Sequence, residues 1–125
     1  MSIDPSAKSA PSREVVIAYT GVYTAWALLD ELERVRLKAI NDKGDVALAK
    51  AELPKAEARN ARLHRMRDAL EIARGYIVGE KSLDESKPAL QDAVALLQSL
   101  VEELKADGVK VPDEVTNGLA AGALL

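Results

Sequence analysis

The chain has 125 residues, 48% of them hydrophobic and 30% charged, with 17 basic and 20 acidic side chains and a formal net charge of −3. That is one domain's worth of chain, too apolar for a disordered protein and too acidic to be drawn in bulk to nucleic acid or anionic lipid. The absence of cysteine excludes a disulfide framework and any thiolate metal site.

The opening MSIDPSAKSAPS is polar and lacks the basic-then-apolar order of a signal peptide, so residues 1–11 are expected to form a flexible, disordered arm. Ser12 suits the N-cap of a first helix running to about Ile40. Its start, VVIAYTGVYTAWALL at 15–29, carries no charge, yet it falls short of the roughly 20 apolar residues of a membrane-spanning helix. Arg13 and Glu14 before it and Asp30, Glu31 and Glu33 after it also argue against a span. Valine, isoleucine, tyrosine and threonine favour strands, but AWALLDELERVRLKAI continues the helical spacing and no second strand is in sight to pair with. On a helical wheel Val15, Tyr19, Val22, Trp26 and Leu29 form one apolar line, and Ile17, Leu28, Leu32, Val35 and Ala39 form another on the far side. A helix with two apolar faces is expected to sit between neighbours.

NDKGD at 41–45 reads as a turn, followed by a second helix from about Asp45 to Gly79 in which Pro54 is expected to cause a kink or a break. Leu63, Met66, Leu70, Ala73 and Ile77 step through it at bundle spacing. GEKSLDESK is a connection, and Ser86 is the expected cap of a third helix that tolerates Pro88 in its first turn and ends at Gly108. Its seam is Leu90, Val94, Leu97, Val101 and Leu104. After VKVP, Asp113 and Glu114 open a short fourth helix that Asn117 and Gly118 are expected to stop or interrupt, leaving the apolar tail NGLAAGALL.

The fold class is therefore all-α: an elongated antiparallel three-helix bundle, made of a long αα-hairpin and a third helix over residues 12–108, with a short helix and apolar tail at 109–125. The third helix is expected to run back along residues 15–32, which leaves residues 33–57 as two helices only. Leu32, Val35, Ala39, Val46, Leu48 and Leu53 at this hairpin end would have incomplete cover and are the candidate partner interface. Leu119, Leu124 and Leu125 extend it as a tail that packs in cis or docks in a groove of another subunit.

Chemistry-bearing patterns are few. RNARLHRMR places Arg59, Arg62, Arg65 and Arg67 within nine residues, which would suit phosphate contacts, but the wheel scatters them around the second helix. Arg59 falls almost on the apolar seam and needs a carboxylate or solvent at that level. The single histidine, His64, has Glu57, Asp68 and Glu71 on its outward face, and Ala61 occupies the position a di-iron Glu-x-x-His pair would need. No phosphate loop, dinucleotide motif, cofactor motif or activated nucleophile is present. The expectation is a soluble non-enzymatic structural or adaptor protein, cytoplasmic or part of a particle. It would act through helix-mediated contacts with itself or another protein, as a homo-oligomer or a subunit of a larger bacterial or phage assembly. A nucleic-acid-binding module built on the arginines is the alternative.

Overall fold

In the computed structural model, which describes residues 11–125, the chain forms four helices and no strand among the described residues. The expected arm falls outside the described residues except for Pro11. Helix α1 spans Arg13–Asp42, α2 Val46–Ile77, α3 Leu83–Ala106 and α4 Asp113–Ala123. At 1.5 Å per residue the first two are about 45 Å and 48 Å long, and α4 only about 16 Å.

Local chemistry accounts for most of the boundaries. Gly44 takes a positive φ of 66° in the turn after α1, and Asp45 caps α2 by accepting a hydrogen bond from the Leu48 N–H at 3.0 Å. Pro54 neither stops nor splits α2, which runs unbroken to Ile77. Proline removes one backbone donor, and neighbouring turns on this exposed part of the helix hold the strand of hydrogen bonds on either side. The cap of α3 is Ser82, whose Oγ accepts from the Glu85 N–H, rather than Ser86. Ser86 lies one turn in, buried, and donates its hydroxyl to the Ile72 carbonyl at 3.2 Å, tying α3 to α2. Ser12 precedes α1 without a side-chain cap bond; its hydroxyl donates to Glu14 and its N–H to the Tyr76 hydroxyl.

The packing differs from expectation around α1. Its most extensive contact is with α4, while α3 packs chiefly on α2 and only lightly touches α1. The helices stand in a ring in the order α1, α4, α3, α2, and α4, antiparallel to α1, takes the place beside the uncharged stretch that the third helix was expected to fill. The reason lies in glycines. Asn117 and Gly118 do not end α4; Gly118 and Gly122 are buried and present a flat face to Gly21, Ala25 and Val22 of α1. A Cβ on Gly118 would lie 2.2 Å from the Gly21 carbonyl oxygen, so backbone meets backbone with no room for a side chain. Small residues four apart on two facing helices permit this approach.

The resulting core has one layer from each helix: Val22, Ala25 and Leu29 of α1, Leu63, Met66 and Leu70 of α2, Leu90, Leu97 and Leu100 of α3, and Val115 of α4. The second apolar line of α1 fares differently along its length. Leu28 packs against the core, whereas Ile17, Leu32 and Val35 are 48%, 41% and 60% exposed.

Candidate protein-contact surface

The core ends at a charged collar. Arg59 is only 1% exposed, and its guanidinium reaches carboxylates on both neighbouring helices: Glu33 of α1 at 3.7 Å, Glu103 of α3 at 3.2 Å, and Asp107 just past α3. Arg62 joins Glu103 and donates to Ser99 Oγ at 3.1 Å, and Lys55 stands 3.7 Å from Asp107. Arg36 adds Glu33 at 3.6 Å and Glu52 at 3.0 Å. A planar, always-charged fork suits such a site better than a point-charged lysine would. The sequence placed Arg59 on the apolar seam and left open whether a carboxylate or solvent meets it; carboxylates do.

Beyond the collar α1 and α2 continue as a pair. On one side, Leu32, Val35 and Ala39 of α1 face Leu104, Val109 and Val111 across an open groove of about 270 Å³, with Arg36 and Lys110 at its edges. On another side, Leu37, Leu53 and Ala56 line a smaller hollow of about 160 Å³ between α1 and α2. Val46, 67% exposed, and half-buried Leu48 mark the hairpin tip. The expected interface residues thus fall into separate places: Leu32, Val35 and Ala39 together, Leu53 in the second hollow, Val46 and Leu48 at the tip. The tail residues are elsewhere. Leu119 and Leu125 pack against the core and Leu124, 83% exposed, lies at the far end of α4.

The arginine cluster is divided between two jobs. Arg59 and Arg62 are taken up by Glu33, Glu103 and Asp107, and only Arg65 and Arg67 are exposed. His64 is exposed beside a polar cleft with Trp26, Asn60 and Arg67, and among the described residues no three histidine or carboxylate side chains converge on a point that could hold a metal. Trp26 donates its indole N–H to the Leu63 carbonyl at 2.9 Å, fixing α1 on α2. Tyr19, Tyr23 and Trp26 form a ladder along α1 with ring centroids 6.0 Å and 5.7 Å apart. Burial, and then the neighbouring Tyr23, push the Tyr19 phenol above its ordinary range, with Arg74 opposing.

One feature escaped sequence reasoning. Gly21-x-x-x-Ala25 and Gly118-x-x-x-Gly122 form the α1–α4 contact, and the signal for them was the four-residue spacing of small residues on two apolar segments. The uncharged stretch at 15–29 was expected to be too short for a membrane span; by length and composition α1 as a whole is, among the described residues, the one helix long and apolar enough to cross a membrane, at a mean hydropathy of 1.2 over an 18-residue window of which 28% is buried. No protein-family model, no curated protein and no solved structure matches the chain.

Proposed function

We propose that the protein is a non-enzymatic structural or adaptor protein that acts through helix-to-helix contacts, as a homo-oligomer or a subunit of a larger assembly of bacterial or phage type. In this reading the chain is an elongated antiparallel bundle, closed by α3 and α4 at one end, with the hairpin beyond the collar as its contact arm. The carrying observation is the apolar line of α1, which continues past the last core layer with Leu32 and Val35 open to solvent. Burying such side chains is worth about 1.5–3 kcal/mol each, so an uncovered line of them favours association.

The uncharged part of α1 is read as protein-facing because Val15, Ala18, Val22, Ala25 and Leu29 are already the core of the fold. The nucleic-acid alternative is less favoured because half of its arginines are engaged with carboxylates. A photo-crosslinking residue at position 35, in cells that make the protein, is expected to capture a protein, and one at exposed position 91 of α3 to capture none. Capture at neither position would sink the reading.

A further inference from the structure

We infer that the occupant of the Leu32–Val35–Ala39 face is the same face of a second copy, with the two α1 helices antiparallel and a two-fold axis near Val35. This deepens the proposed function and rests on it. Charge is laid unevenly along the strip. Asp30, Glu31 and Glu33 stand just before Val35, whereas Arg34, Arg36, Lys38 and Lys43 against a single acid, Asp42, fill positions 34–43. The helix therefore switches from net negative to net positive at the centre of its exposed apolar line.

A strip with that polarity repels a parallel copy in register and attracts an antiparallel one, as an isologous interface requires. Glu31 and Lys38 carry the pattern most directly. They are seven residues apart, so both lie on the same flank of the strip, and in an antiparallel pair like flanks face each other. Glu31 of each copy then meets Lys38 of the other. Glu31 makes no ion pair among the described residues, and Lys38 meets only the exposed Asp42, so neither is committed to the fold. At the axis Val35 packs on its counterpart, and each Leu32 lies over the other copy's groove, whose walls are Leu104 and Val111. The strip from Leu28 to Asp42 is about 21 Å long, a single-helix contact, so the pairing is expected in the micromolar range.

Sedimentation equilibrium of the purified chain at about 5–500 μM covers that range. The wild-type mass is expected to rise from 13.4 kDa towards twice that value. Val35→Glu is expected to stay monomeric with unchanged far-UV circular dichroism, since the side chain is exposed. Glu31→Lys and Lys38→Glu are each expected to weaken pairing about tenfold by setting like charges opposite one another. The charges become complementary again when the two variants are mixed, or combined in one chain, and pairing is expected to return. A wild-type monomer throughout the range, or charge reversals that the combination does not rescue, overturns the inference. A monomer that still captures a different protein at position 35 in cells leaves the proposed function standing with a heterologous partner.

Discussion

At the scale of single residues, Gly118 and Arg59 hold the fold at two points of different kind. Gly118 matters for what it lacks, because its Cβ position is already occupied by the Gly21 carbonyl. Gly118→Ala is expected to destabilise by more than about 2 kcal/mol in urea unfolding, although alanine is the better helix former by about 1 kcal/mol. An unchanged midpoint would mean that α1 and α4 are farther apart than described. Arg59 matters for what it gathers. Arg59→Met keeps the volume but leaves Glu33, Glu103 and Asp107 around an apolar side chain, and about 3 kcal/mol of stability is expected to be lost by the same measurement. That is the low end for breaking a buried ion pair, because Arg36, Arg62 and Lys55 still attend those carboxylates. A loss below about 1 kcal/mol would place the guanidinium in water.

At the scale of elements, helix positions were largely legible because turns announce themselves chemically: Gly44 after α1, Gly79 after α2 and Gly108 after α3 all take positive φ. What failed was the reading of residues with two possible roles. Gly118 and Asn117 looked like a stop, yet glycine within a helix also serves a close crossing, and only the partner face at Gly21 and Ala25 decides between them. Ser86 was the expected cap of α3, but Ser82 takes that place and Ser86 lies buried one turn in, donating its hydroxyl to the Ile72 carbonyl of α2. Pro54 was expected to kink or break α2, and the helix runs through it unbroken. Because it is exposed and its helix continues, Pro54→Ala is expected to raise stability by about 1–3 kcal/mol in urea unfolding. A destabilising result would show that the proline holds a bend the fold needs.

At the scale of the whole molecule, period told which residues are apolar on one side but not which helix covers them. The seams of α2 and α3 were readable, and they do pack together, while the cover over α1 depended on pairing between segments far apart in sequence. The exposure of Leu32, Val35 and Ala39 was legible for a related reason: they lie past the core residues that the shorter α3 and α4 supply to α1. Their separation from Leu53 and from the tail was not, since it depends on how the helices are rotated about one another. Removing residues 113–125 tests the role of α4. It takes Val115 out of the core and uncovers Val22 and Ala25, so the shortened chain is expected to keep much of its far-UV helical signal, bind an apolar dye and lose its sharp thermal transition. A sharp transition at the original temperature would show that α4 is an appendage.

The contact between Gly21 and Gly118 joins positions about 100 residues apart, the kind of long-range closure that slows folding. During synthesis, at about 5–20 residues per second, the apolar start of α1 waits roughly 5–20 s for its partner to be made. The nascent chain thus carries this apolar segment without its α4 cover until residues 113–125 have been made, and the ribosome's own rate sets how long the segment is open to chaperones or to misassociation.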